Sequence, residues 1–138
     1  MEHQMKHEQD YGRLVLMILL SFIAMYALMY AMVNSMGNVL PNLNQFFMAG
    51  LMTAAMVIIE LAVMRVMYQN KKLNAIIVTA GAAALILFWV GIRQQIGVSD
   101  QQFLRSMIPH HAGALLMCEQ ASLEDPELKE LCASIAAG

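Results

Sequence analysis

Charged residues are scarce in this 138-residue chain, at 13% of the sequence, where soluble domains carry about 25%. No Asp, Glu, Lys, Arg or His occurs between Leu14 and Ile59. The net charge of −2 lacks the basic surplus of a nucleic-acid-binding protein, so no nucleic-acid partner is expected. Because 59% of the residues are hydrophobic and the mean hydropathy is +0.58, the composition indicates a membrane protein.

Cysteine and proline are also rare, with two and three residues, so the cysteines are too few for a disulfide-rich scaffold. Methionine, in contrast, is abundant, with 14 residues in the chain. Its thioether is a flexible filler of apolar gaps and a soft ligand for Cu(I). The methionines therefore have two candidate roles, which are packing in apolar gaps and metal binding.

Three apolar segments, at about 14–33, 46–67 and 74–92, are each close to the roughly 20 residues that span a bilayer. The first two are separated by "NSMGNVLPNLNQ" (34–45), whose Asn, Gly and Pro residues predict a loop. A signal peptide is the alternative for the first segment, but its apolar run is too long and lacks a small-residue cleavage site. The third segment carries small residues that let membrane helices approach closely. These are Thr79, Ala80, Gly81, Ala83 and Ala84.

Lys and Arg residues predict the orientation of these spans. The tail 1–13 and the loop after the second span carry basic residues, and the loop after the first span carries none. The basic residues are Lys6 and Arg13 in the tail and Arg65, Lys71 and Lys72 in the second loop. The positive-inside rule then places the tail in the cytoplasm and the C-terminal segment outside. We expect a bacterial inner-membrane protein with a periplasmic C-terminal segment.

Residues 98–138 predict an exported helical hairpin. Ser99 and Gln102 form a capping box before apolar positions, and Asp125 with Pro126 marks the start of a second helix. A hairpin of this size buries too little apolar surface to be stable alone. We therefore expect it to pack on the membrane helices, on another subunit or around a metal.

The segment "SMIPHHAGALLMC" (106–118) concentrates soft side chains on the first hairpin helix, which Pro109 is expected to kink or restart. At 100° per residue its candidate ligands share an arc of roughly 120°. They are Met107, His110, His111, Met117 and Cys118. Thioether, thiolate and imidazole together favour copper, particularly Cu(I), whereas methionine is a poor zinc ligand. The alternative is a helix that packs its Met and Cys residues against a neighbour.

Cys118 and Cys132 lie at similar distances on either side of the predicted turn near residues 124–125, so they face each other in an antiparallel hairpin. Three outcomes remain open for them. They form a disulfide in an oxidising compartment, they are paired copper ligands, or they are two unpaired thiols.

The stretch "FLRSMIPHHAGALLMCEQASLEDPELKELCASI" resembles the domain of unknown function 305 family, whose hallmark is a His-His pair followed by a methionine about six residues later. The resemblance covers about 99–135, and a subset of the family with preceding membrane helices is similar over the whole chain. It implies a small ferritin-like helical domain, usually exported and linked to copper binding or tolerance. It implies His110, His111 and Met117 as ligands, with Met107 in the lead-in. Family members usually continue into a helix with a Glu-Ile-x-x-Met element, which is absent from the printed sequence. Further ligands are then expected from Cys132, membrane methionines or another chain.

Methionines also recur at helical spacing within the first two spans. Met25, Met29, Met32 and Met36 are predicted to share one face of the first, and Met48, Met52 and Met56 one face of the second, continued by Glu60 and Met64. Such a series either relays Cu(I) or fills gaps between helices. Glu60 is predicted about two turns inside the second span, where a charged carboxylate is costly. It is a candidate pathway residue or a partner of Arg65. His3, Met5 and His7 form a further, weak metal-binding pattern in the tail.

The sequence therefore predicts an all-α membrane protein, with three transmembrane helices within 14–93 and a partial ferritin-like hairpin at 98–138. The expected function is copper binding for copper handling or tolerance, without catalysis, because no plausible set of catalytic residues is present. The alternative is an accessory subunit of a larger membrane complex whose methionines serve packing. A homo-oligomer permeable to copper is a third possibility.

Overall fold

The computed structural model describes the backbone of residues 2–137 and the side chains from residue 10 to residue 137, and this part of the chain is entirely helical outside its loops. The predicted all-α class is thereby confirmed for the described residues. The elements are α1 (Glu2–Leu28), two 3-10 helices (Met29–Met32 and Met36–Asn38), α2 (Leu43–Val63), α3 (Lys71–Gln94), α4 (Asp100–Gln120) and α5 (Pro126–Ala137). The side chains of His3, Met5 and His7 lie outside the described residues.

Three helical stretches are long and apolar enough to cross a membrane: Asp10–Met32, Leu43–Val63 and Lys71–Gln94. The second stretch begins and ends earlier than the predicted 46–67. The chain leaves the helix after Val63, and Asn70 caps the next one by accepting a hydrogen bond from the Leu73 N–H at 3.1 Å.

The chain divides into two compact units. The bundle unit comprises Met1–Leu28 and Asn44–Gly97, and the hairpin unit comprises Met29–Leu43 and Val98–Gly138. The predicted hairpin is therefore only part of its unit, because the loop after the first span packs with it. This loop supplies the packing partner that the size of the hairpin requires.

Small residues bring α2 and α3 of the bundle unit into close contact. A Cβ atom added to Gly50 would lie 2.6 Å from the ring of Phe88, and one added to Gly81 would lie 3.2 Å from Ile58. Of the predicted small residues on α3, Gly81 is in this contact, whereas Thr79 is exposed. Close backbone approach is the usual means of packing helices in lipid, where apolar burial alone favours no partner.

The core of the bundle unit lies beside the loop that joins α2 to α3. Leu14, Val57, Leu61 and Tyr68 are buried there, and Met56 packs against them. Burial raises the pKa of the Tyr68 phenol, and the negative charges of Glu60 and Asp10 raise it further. Three helical segments and a loop thus meet around one buried tyrosine.

A phenol and two amides hold this end of the bundle unit together. The Tyr11 hydroxyl donates to the Asn74 side-chain carbonyl at 2.6 Å and accepts from the Asn70 N–H at 3.2 Å. The Asn74 amide donates in turn to the Tyr68 carbonyl at 2.6 Å. These bonds join α1 to α3 without using a charged group.

Both predicted helix starts of the hairpin unit are confirmed. The Ser99 hydroxyl accepts from the Gln102 N–H at 3.4 Å, and the Asp125 carboxylate accepts from the Glu127 N–H at 2.8 Å. The Gln102 side chain differs from the predicted capping box, because its carbonyl accepts from the Leu43 N–H at 3.2 Å. This hydrogen bond joins the start of α4 to the loop.

Pro109 lies inside α4, which stays helical through it instead of restarting there. Proline has no N–H, so the Arg105 carbonyl loses its usual helical donor. The amide of Asn42, which is buried at 4% exposure, donates to that carbonyl at 3.4 Å. A loop side chain therefore replaces the hydrogen bond that the proline removes, which explains why a polar residue is buried here.

Candidate metal site

Met107, His110 and His111 fall within a single turn of α4. They occupy positions i, i+3 and i+4, which places neighbouring Cβ atoms about 5–6 Å apart on a helix. Met107 and His110 are exposed, and His111 is half-buried. One thioether and two imidazoles are therefore available on the same part of the helix surface.

Met107 and His111 also line an open groove of about 300 Å³ in the hairpin unit. Its remaining walls are Asn38, from the second 3-10 helix, and four apolar residues of α4. The apolar residues are Leu104, Ile108, Ala112 and Leu115. Asn38 was not predicted as a site residue, because the sequence marked its segment only as a loop. The Asn38 amide donates to the Asn34 side chain at 2.8 Å, so its orientation is held.

An adjoining side of α4 is the packed one. Pro109, Ala112 and Gly113 are buried, and a Cβ atom added to Gly113 would lie 3.6 Å from the Met32 carbonyl oxygen. Small residues thus let the loop lie close to the helix here. The packing leaves the side that carries His110 and Met117 open, and Met117 is 52% exposed.

Cys118 and Cys132 are joined in a disulfide, with their Cα atoms 5.5 Å apart. Of the three outcomes that the sequence left open, the structure has this one, and it ties α5 to the last turn of α4. A disulfide sulfur is not a thiolate, and only the thiolate is a strong metal ligand. In this state the available ligand set is reduced to imidazole and thioether.

Within the side chains described, from residue 10 to residue 137, no three His, Cys, Asp or Glu residues are grouped to hold a metal ion. A site on α4 therefore requires methionine sulfur as well as imidazole. Copper(I) accepts that combination, whereas zinc and the hard divalent cations prefer other donors.

The predicted series of methionines on the first helix is interrupted, which corrects the expectation that four of them share one helical face. Helix α1 ends at Leu28, so Met29 and Met32 lie in a 3-10 helix and Met36 lies in another beyond a bend. Asn34, Ser35 and Gly37 favour turns over helix, which explains the break. Met32 and Met36 are 52% and 87% exposed on the hairpin unit.

The methionines of α2 differ in their exposure to solvent. Met56 packs against the buried core of the bundle unit, while Met48 and Met52 are 37% and 36% exposed. Across from them, the Met25 sulfur accepts a hydrogen bond from the Thr53 hydroxyl at 3.7 Å. Met25 and Met56 thus serve packing, as the alternative interpretation of the sequence held.

Glu60 lies in the last turn of α2, which ends at Val63, and not two turns inside as predicted. A carboxylate so near a helix end reaches the interface at much lower cost than one at the bilayer centre. Its charge acts on Tyr68. This position weakens the case for Glu60 as a pathway residue.

Comparison with known proteins agrees with the family resemblance. The family model described as "Domain of unknown function (DUF305)" matches residues 52–138, which is more than half of the chain. The match begins within α2, well before the 99–135 stretch on which the sequence resemblance rested. The chain belongs to this family.

An uncharacterized protein of Acanthamoeba polyphaga mimivirus is 32% identical over 96 residues. The aligned region covers 68% of this chain and 61% of that relative, so the chain spans less than two thirds of the relative's length. No solved structure matches the chain.

Proposed function

We propose that this chain is a membrane-anchored copper-binding protein that takes up Cu(I) through Met107, His110 and His111 on α4. Copper is here the cargo, and no reaction is assigned to the protein. The observation that carries the proposal is the convergence of one thioether and two imidazoles within one exposed turn, beside a groove that two of them line. Cu(I) accepts imidazole and thioether together, and the thioether is the ligand that zinc and the hard divalent cations disfavour.

The topology supports a role in handling copper outside the cytoplasm. When three helices cross a membrane, the loop 33–42 between the first two and the segment after the third lie on the same side of it, and that loop and segment belong to one compact unit. The basic residues are concentrated in the tail and in the loop between α2 and α3, and the positive-inside rule keeps those segments in the cytoplasm. The copper-binding turn then faces the periplasm in a bacterial inner membrane.

The proposal is tested by Cu(I) competition between a chromophoric chelator and the full chain in detergent or lipid nanodiscs, with ascorbate as reductant. A thiol assay verifies that the cysteines stay paired, so that no thiolate contributes. We expect His110→Ala with His111→Ala to weaken Cu(I) binding at least tenfold, because two of three ligands are lost. Met107→Leu keeps the apolar volume and should weaken it less.

The matched comparison is His3→Ala with His7→Ala, which removes the same number of imidazoles from the weak pattern in the tail and should reduce the Cu(I) affinity much less than the His110/His111 variant does. Equal affinity in wild type and the His110/His111 variant would overturn the site. An accessory subunit predicts a different result: stoichiometric co-purification with other chains in both the presence and the absence of copper.

A further inference from the structure

The Cys118–Cys132 disulfide lies on the same side of α4 as two of the proposed copper ligands. Cys118 follows His111 by seven residues, which places it about 20° away around the helix and about 10.5 Å along it. The groove that Met107 and His111 line extends along α4 as far as Leu115. Cys118 is three residues further and is therefore a neighbour of Leu115 on the helix surface. Two sulfur atoms that can gain or lose electrons thus lie at the end of this groove.

The disulfide is accessible to a reductant. Both cysteines are half-buried, and none of the residues Pro126–Ala137, which form α5, is buried. Little packing therefore has to be broken before a dithiol can attack the bond by thiol–disulfide exchange. The Cα atoms of Cys118 and Cys132 are 5.5 Å apart, a distance from which two thiols can form the bond again. The pair can thus alternate between a dithiol and a disulfide.

The loop that the disulfide closes is strongly acidic. Between the two cysteines the sequence has five acidic residues and one basic residue, all of them exposed. They are Glu119, Glu124, Asp125, Glu127, Glu130 and Lys129. A negative surface concentrates divalent cations, and oxygen donors suit Cu(II), whereas Cu(I) selects sulfur. The hairpin unit therefore attracts Cu(II) at one end of α4 and offers ligands for Cu(I) two to three turns away, with the sulfur pair between them.

We infer that Cys118 and Cys132, in their dithiol form, reduce the Cu(II) that the acidic loop attracts to the Cu(I) that the turn of α4 binds. Two Cu(II) ions accept one electron each, both S–H bonds break, the S–S bond forms and two protons pass to water. The products are two Cu(I) ions and the disulfide that the structure contains. A second dithiol, of the kind that thiol–disulfide oxidoreductases carry, restores the thiols and becomes a disulfide itself. The inference rests on the proposed function for the fate of Cu(I) and goes beyond it by assigning a reaction.

The number of electrons transferred tests the reaction. The full chain in lipid nanodiscs is reduced, freed of reductant and mixed under argon with an excess of a Cu(II) salt. We expect two Cu(I) ions per chain, measured with bicinchoninate, together with the loss of two thiols and the return of the intrachain disulfide. Cys118→Ser with Cys132→Ser should form no Cu(I). Each single serine variant should form at most one Cu(I) per chain and should yield disulfide-linked dimers.

Removal of a charge tests the part of the acidic loop. Glu119→Gln should slow the reduction about threefold at low ionic strength, because less Cu(II) collects near Cys118. Asp100→Asn removes a charge from the same helix about 27 Å away and is the matched control, with a rate equal to that of wild type. Equal rates in the two variants would overturn the acidic loop as the place where Cu(II) collects.

Further outcomes separate this inference from the proposed function. If reduced wild type forms no more Cu(I) than the double serine variant, the inference is overturned, and Cu(I) binding by the oxidised chain still supports the copper site. If wild type forms two Cu(I) ions and retains none after gel filtration, the proposed function is overturned and the reaction stands. Both are supported if wild type retains Cu(I) and His110→Ala with His111→Ala forms the same amount but loses it.

Discussion

The bundle unit and the hairpin unit are stabilised by different means. The bundle unit buries apolar side chains such as Leu14, Val57 and Leu61, and the ring of Phe88 packs directly on the backbone of Gly50. The buried residues of α4 in the hairpin unit are only Pro109, Ala112 and Gly113, all small. The hairpin unit relies instead on hydrogen bonds to the loop and on a disulfide. Because the hairpin unit buries so few side chains of α4, its larger apolar side chains and its candidate ligands lie at the surface, where they are available for binding.

Removing the disulfide should have the largest effect, and it should destabilise the hairpin unit alone. Cys118 and Cys132 are separated by 14 residues, and closing a loop of that size stabilises a fold by about 3 kcal/mol. Cys118→Ser with Cys132→Ser should therefore raise amide hydrogen exchange in α5 by about a hundredfold. Exchange in α2 and α3 is the internal control and should not change. Unaltered protection of α5 would show that packing alone holds it.

The second test disturbs the bundle unit alone. Gly50→Ala forces a methyl group against the Phe88 ring, at 2.6 Å, and overpacking of this kind costs about 1–3 kcal/mol. Thermal unfolding in detergent should show the loss, and Phe88→Leu in the same chain should recover part of it. Gly12→Ala is the matched control, since among the side chains described, from residue 10 to 137, none lies within 4 Å of its added Cβ. Similar losses in the two alanine variants would contradict close helix contact at Gly50.

The smallest effect is expected from the hydrogen bond that replaces the one lost at Pro109. Asn42→Ala leaves the Arg105 carbonyl without its donor and should destabilise the hairpin unit by about 1–2 kcal/mol. In Pro109→Ala the helix regains its own N–H donor, so adding Asn42→Ala should then cost less. A double-mutant cycle measured by hydrogen exchange of α4 gives this coupling. Strict additivity would mean that the two residues act independently.

Much of the fold was predictable from local signals in the sequence. The absence of charge from Leu14 to Ile59 predicted membrane-spanning helices, and Ser99 and Asp125 predicted where α4 and α5 begin. Each of these signals depends only on residues that are neighbours in the sequence, so it can be recognised without knowing the fold. The loop after the first span was predicted, because Asn34 and Gly37 favour turns over helix. The change from α-helix to 3-10 helix at Met29 was missed, because Met29, Met32 and Met36 continue the helical spacing.

The candidate site was predictable only in part. The spacing of Met107, His110 and His111 predicted their convergence, since residues three and four apart always meet on a helix. The roles of Asn38 and Asn42 were missed because they depend on the loop folding back onto α4, far along the chain. The pairing of Cys118 with Cys132 was one of three outcomes, because sequence distance from a turn does not set the oxidation state of a thiol.

The proline within α4 has a consequence for how the loop is placed. The surface of a helix repeats every three to four residues, so apolar packing alone would let a loop slide by one turn with little penalty. An acceptor without a helical donor occurs inside α4 at only one carbonyl, that of Arg105, and Asn42 occupies it. This one pairing excludes the shifted registers and so determines which turn of α4 faces Asn38. Because Pro109 has no amide hydrogen, one carbonyl of an otherwise repetitive helix differs from the rest. That carbonyl fixes the position of the loop along α4, and Pro109 lies one residue before the histidine pair.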